Sequence, residues 1–290
     1  MQRREWIYGW LLLLPAFALL AMFTHIPAVA TFWDSFFSTP RGRREARFIG
    51  WENYERLLDD PIFWKVLTNN LWFALGTIPL SMILALAMAL WVNKQFFGQG
   101  FLRMAYFTPT VLPLIAVANI WLFFYTPGFG LIDQILGLFG FAQTNLLGSP
   151  DTALGAVMAV TIWKEAGFFM IFYLAALQSI PPSLLEAAKI EGAGSWTTFR
   201  RIVFPLLMPT TLFVSINAVI NSFRLVDHLF ILTGGGPDNA SSLLLFYIYE
   251  TAFRFWDTAY GATLTVVMLV LLSLLAIGQF FLFDRKVHYQ

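Results

Sequence analysis

The sequence predicts an all-α membrane protein: six transmembrane helices, with a short cytoplasmic helix between the fourth and fifth. Composition gives the first reason. Of 290 residues, 58% are hydrophobic and only 12% charged, and the mean hydropathy is +0.68, far more apolar than a water-solvated domain tolerates. The second is segmentation: the apolar residues gather into runs of about 20 or more, enough to cross about 30 Å of hydrocarbon as a helix. The third is punctuation, because clusters such as Thr126-Pro127-Gly128 and Gly234-Gly235-Gly236-Pro237 read as turns between or at the edges of runs.

The first run, residues 9–33, follows Arg3 and Arg4 as a secretory signal would. It is too long for one, contains Pro15 and Pro27, and lacks a small-residue cleavage site, so it is read as a retained helix kinked at a proline. Residues 34–65 carry Arg41, Arg43, Arg44 and Arg47 with Glu52, Glu55, Asp59 and Asp60, and must lie outside the lipid. Spans follow at 66–92, 104–125, 152–177, 206–232 and 258–283. Pro79, Pro109 and Pro113 interrupt these runs, and the backbone groups they free need partners in neighbouring helices or a wet cavity. Six spans put both termini on one side. With that side cytoplasmic, nine basic residues (Arg3, Arg4, Lys94, Arg103, Lys189, Arg200, Arg201, Arg285, Lys286) face inward and seven outward, a slight positive-inside bias weakened by the first loop.

Charged side chains at the centre of a span cost about 2.5 to 3.5 kcal/mol each, so those present need partners or a wet path. Lys164 and Glu165 lie in the fourth span; Asn217, Asn221, Arg224, Asp227 and His228 recur in the fifth. That spacing puts Asn217, Asn221, Arg224 and His228 on one helical face. With Lys164 and Asn119 the stripe lines a route for a hydroxyl-rich or anionic solute, or it is interhelical glue with an internal Arg224–Asp227 pair.

The most informative polar connection is 181–205. Pro181 and Pro182 stop the fourth helix, Ser183 is placed as an N-cap with Glu186 completing a capping box, and Gly192 supplies a left-handed residue to end the short helix. Ala187 and Ala188 let another surface approach closely.

Glu186-Ala187-Ala188, then Gly192 and Ala193, then Ile202-Val203-Phe204-Pro205 resemble the EAA loop of binding-protein-dependent ABC permeases. Phe204 stands where Leu is usual and Glu191 where Asp is. Phe48-Ile49-Gly50-Trp51-Glu52-Asn53-Tyr54, Ala175 to Pro181 and Thr233 to Pro237 look like further landmarks of the carbohydrate-uptake group, and with the basic ending 286–290 the chain looks nearest to the first permease of the glycerol-3-phosphate importers. The resemblance implies a multi-pass protein of a bacterial or archaeal cytoplasmic membrane, working with a second permease subunit, ATPase subunits and an extracytoplasmic solute-binding protein. It implies that Glu186, Ala187, Ala188, Gly192 and Ala193 form a coupling helix docked on the ATPase, which Arg200 could also touch. It implies a sugar or glycerol-phosphate-type solute.

Other classes are excluded or weakened. No G-x-x-x-x-G-K-[ST] loop is present, so ATP belongs to a partner and this chain needs no cofactor; no G-x-S-x-G or H-E-x-x-H motif offers hydrolase chemistry. There is no cysteine, and His25, His228 and His288 are too scattered for a metal site. A net charge of +1 leaves no basic stripe for nucleic acid. An ion-coupled secondary transporter or channel would show a dedicated coupling carboxylate or inverted halves, and neither is legible.

Overall fold

The computed structural model describes residues 2–94, 96–140 and 145–284. Arg285 and the basic ending 286–290, with His288, lie outside the described residues. Regular structure among the described residues is helical, apart from two isolated bridges, Phe37 with Phe48 and Arg41 with Arg44. Four helices are long and apolar enough to cross a membrane (Tyr8–Asp34, Pro61–Val92, Ala153–Gln178, Thr258–Phe281), or up to six if each of two bent pairs is one span.

The chain forms two compact units, the first taking residues up to Pro61 together with Tyr247–Val270. In it α1 (Gln2–Leu20) and α2 (Ile26–Asp34) are joined by a π-helical turn, Ala21–His25. Pro15 stays inside α1. Pro27 stands just after the π turn, where its missing N–H breaks the ordinary i→i−4 ladder. The following loop returns on itself before α3 (Glu52–Leu58). Buried Asn53 explains part of the Phe-x-Gly-x-x-Asn-Tyr landmark: its amide donates to the Ser35 and Phe37 carbonyls at 2.8 and 2.9 Å. Gly50 turns the chain at φ +61°, and the Tyr54 hydroxyl lies 2.8 Å from Ser35 Oγ.

The same unit closes on its C-terminal segment. The Thr39 hydroxyl and Arg56 donate to the two Asp257 carboxylate oxygens at 2.5 and 2.7 Å, and the Tyr247 and Tyr260 hydroxyls both donate to Asp60 at 2.6 Å. Burial opposes ionisation of Asp257, but the Thr39 and Arg56 hydrogen bonds and the Arg56 charge hold its carboxyl below the usual range.

The second unit takes Ile62–Phe246 and the chain from Leu271. Its elements are α4 (Pro61–Val92, whose first residue is assigned to the first unit), α5 (Gln99–Val111), α6 (Leu114–Phe124), α7 (Leu131–Leu138), α8 (Ala153–Ser179), α9 (Pro182–Ile190), α10 (Ser195–Thr198), α11 (Phe204–Leu206), α12 (Met208–Arg224) and α13 (Asp227–Leu232); the residues of α14 (Leu244–Tyr249) and α15 (Thr258–Asp284) are divided between the two units. Pro79 and Pro109 lie inside helices. At Pro113 the run breaks: residues 104–125, predicted as one span, belong to two helices meeting at 103°. The predicted span 206–232 is likewise divided, bending by 65° at Leu207 and interrupted between α12 and α13, where Leu225 is extended.

Helix α6 packs on α13, and α8 packs on both α5 and α12. Phe73, Val117, Val157 and Leu229 belong to one buried cluster; Ala85, Phe169, Tyr173 and Leu207 belong to another. Gly167 permits the close approach of α8 to α5, since a Cβ there would stand 2.3 Å from the Tyr106 carbonyl oxygen.

Candidate functional site

The predicted docking segment opens with a short helix, α9. Its N-terminus corrects the sequence reading: Pro181 is the cap, Pro182 opens the helix, and neither Ser183 nor Glu186 makes a capping bond. Proline suits the first helical position because its missing N–H would be unpaired there anyway. At the other end Gly192 lies at φ +75°. Its N–H donates to the Lys189 carbonyl at 3.0 Å, and Ala193 N–H donates to Ala188 at 2.9 Å, the paired bonds of a Schellman closure. Ala188 is buried; Glu186, Ala187, Gly192 and Arg200 are exposed. Ile190, one helical turn after Glu186, is 88% exposed, and Trp196 is 70% exposed, leaving apolar surface uncovered in the segment.

The polar residues of the spans do not form one stripe. Because the chain breaks after Arg224, His228 belongs to α13 and is buried, its Nε2 3.0 Å from the Thr161 hydroxyl. Asn221 donates to the buried carboxylate of Glu165 at 2.7 Å. Around that pair Thr77, Ser81, Thr161 and Ser222 line a small internal cavity. Arg224 and Asp227 are exposed and make no ion pair with one another among the described residues, which removes the internal pair considered from the sequence. Half-buried Asn217 and exposed Asn119 each donate to their own helix, at Phe213 and Ile115.

Lys164 is held elsewhere. Its ammonium donates to the carbonyls of Pro109, Thr110 and Leu112 at 2.9, 3.3 and 2.8 Å. These are the carbonyls released where α5 stops before Pro113, so a cation closes the C-terminal end of a broken helix. Glu165 is singled out by the sequence, but the buried Thr77, Ser81 and Thr161 that gather around it are not. Their signal was present, since Thr77 and Ser81, and Thr161 and Glu165, are polar pairs at i,i+4 in apolar helices.

Residues 77–289 match the family described as "Binding-protein-dependent transport system inner membrane component". The sulfoquinovosyl glycerol transport system permease SmoG of Agrobacterium fabrum is 36% identical over 90% of this chain and 85% of its own. The sn-glycerol-3-phosphate transport system permease UgpA of Yersinia pestis is 32% identical over 97% of this chain and 95% of its own. The backbone is similar to that of a bacterial ABC transporter involved in alginate import, with a TM-score of 0.86 at 21% identity over 98% of this chain and 96% of that one. The matched family and relatives are transport components rather than enzymes, and the chain belongs to the binding-protein-dependent transport system inner membrane components.

Proposed function

We propose that the chain is one of two permease subunits of an ABC importer, moving a sugar or glycerol-phosphate-type solute across a cytoplasmic membrane with both termini on the cytoplasmic side. ATP is held and hydrolysed on a partner ATPase, and an extracytoplasmic binding protein delivers the solute. The observation that carries this reading is α9, closed by Gly192 and presenting Glu186 and Ile190 to a partner. Pro181 and Pro182 stiffen its junction with α8, so a displacement of α9 is passed to the spanning helix rather than absorbed in a slack loop.

For the solute, the exposed guanidinium of Arg224 supplies charge, and Asn217 keeps an amide oxygen and a second N–H for hydroxyls. Lys164 is committed to backbone carbonyls, so Arg224 is the cation assigned to an anionic solute. The names of two relatives, which specify glycerol-3-phosphate and sulfoquinovosyl glycerol, support a glycerol-linked anion. The test is uptake by the reconstituted importer of glycerol-3-phosphate and maltose, with and without Arg224→Ala. Selective loss of glycerol-3-phosphate transport supports the assignment; equal loss of both, or of neither, overturns it.

The burial of Glu165 gives the ion-coupled alternative a candidate coupling carboxylate. That alternative expects uptake to collapse with an ionophore, whereas an ATP-driven importer continues.

A further inference from the structure

A cluster of arginines that the proposed function does not use lies in the first unit. The loop after α2 folds as a hairpin whose tip is Arg41-Gly42-Arg43-Arg44, with Arg41 and Arg44 exchanging backbone hydrogen bonds at 3.2 and 3.0 Å. Gly42, at φ +60°, occupies the first turn position as a two-residue hairpin requires. Lower down, Ser38 N–H donates to the Arg47 carbonyl at 2.8 Å, and Arg47 N–H donates to Ser38 Oγ at 3.0 Å. These bonds fix the backbone from which three arginines project.

Arg41, Arg44 and Arg47 line one concavity of about 540 Å³ with Ser38 and Glu45. Arg56 and Asp257 also line it, and they neutralise one another through the 2.7 Å ion pair. Three remaining arginines against one Glu45 leave two uncompensated positive charges in the concavity. None of the three has an ion-pair partner among the described residues. Like charges gathered this closely repel, and an anion with several acceptor oxygens relieves that repulsion while matching the forked donors of arginine.

The surroundings indicate where such an anion is met. Trp33, Phe48 and Trp51 are 62%, 68% and 65% exposed, and they belong to two groups of ring contacts next to the hairpin, Trp33 and Phe48 on Phe37, and Trp51 and Tyr54 on Phe36. Exposed tryptophan and tyrosine mark the membrane–water interface, the depth at which phospholipid phosphates lie. We propose that the concavity formed by Arg41, Arg44 and Arg47 is a binding site for a phosphate group, presented by an anionic lipid headgroup or by a free phosphate anion.

The full-length chain in phosphatidylcholine nanodiscs is titrated with inorganic phosphate by calorimetry, and retention of phosphatidylglycerol over phosphatidylcholine is read by native mass spectrometry. The variants are Arg44→Gln/Arg47→Gln, the conservative Arg44→Lys/Arg47→Lys, and Arg43→Gln, which removes a charge from the same hairpin but not from the concavity. Removing two charge-assisted donors is expected to weaken phosphate or phosphatidylglycerol binding by about tenfold or more. Arg43→Gln and the lysine pair are expected to keep most of it. Loss in the lipid arm alone identifies the headgroup as the source, and loss in the phosphate arm alone identifies the free anion; both support the site. If the wild-type chain binds neither probe, or Arg43→Gln weakens binding as much as the concavity variant, the site does not exist. If the arginine variants lose only capture of the solute-binding protein, the patch is a protein docking surface and the proposal fails.

Discussion

Replacing Lys164 by methionine keeps an unbranched apolar stem and removes the ammonium that closes α5. Three carbonyls, of Pro109, Thr110 and Leu112, then lose a donor at 2.8 to 3.3 Å. Pro113 cannot replace it, because a proline has no N–H to return to the Pro109 carbonyl. Hydrogen bonds within membrane bundles average about 0.6 kcal/mol and reach about 1.7, so three of them set a loss of about 2 to 5 kcal/mol. The assay is equilibrium unfolding of the purified full-length chain in mixed micelles, with Lys164→Arg alongside. The arginine variant retains a multidentate donor and is expected to recover at least half the loss. A Lys164→Met protein within about 0.5 kcal/mol of wild type would refute the capping role. Unchanged stability with abolished uptake would move Lys164 back to the solute path.

Gly167→Val places a side chain against the Tyr106 carbonyl, and the forced separation of α8 from α5 is expected to cost about 1 to 3 kcal/mol, seen as a lower thermal midpoint. Gly192→Ala must adopt φ +75°, at about 1 to 2 kcal/mol, so it is expected to impair partner-ATPase stimulation while the chain still inserts and purifies normally. Asp257 is depressed below its ordinary value of 3.8, so its contribution is complete above about pH 4 and fades as pH falls through the folded value. Thermal midpoints taken from pH 6 to 3 should therefore decline below about pH 4, and Asp257→Asn should make that decline shallower.

The membrane-spanning character was legible because it depends on summed hydropathy over long windows, which errors of a few residues do not alter. The breaks were not. Pro79 and Pro109 lie inside helices while Pro113 ends one, and nothing local separates the three; the difference is that Lys164 waits beside Pro113 to take up the released carbonyls. The interruption between Arg224 and Asp227 carries neither proline nor glycine, so in sequence the i,i+4 pattern runs on to His228 across a gap that the backbone makes. In the 181–205 segment Gly192 was legible because a left-handed residue is a local backbone demand. At its start the Ser-x-x-Glu pattern competes with a proline already able to open the helix, and the proline prevails. Contacts that join distant sequence, such as Asn221 with Glu165 or Thr39 with Asp257, needed the folded chain.

In the proposed importer α9 passes the work of a separate ATPase to this chain. The most direct measurement of this coupling is ATP-driven solute uptake by proteoliposomes holding the full importer, with Glu186→Ala and Ile190→Asp in this subunit and the amount of retained ATPase quantified. Both variants are expected to insert normally, Ile190→Asp to lose ATPase from the purified complex, and uptake to fall at least tenfold in each. Full uptake and undiminished ATPase retention in both would contradict this coupling.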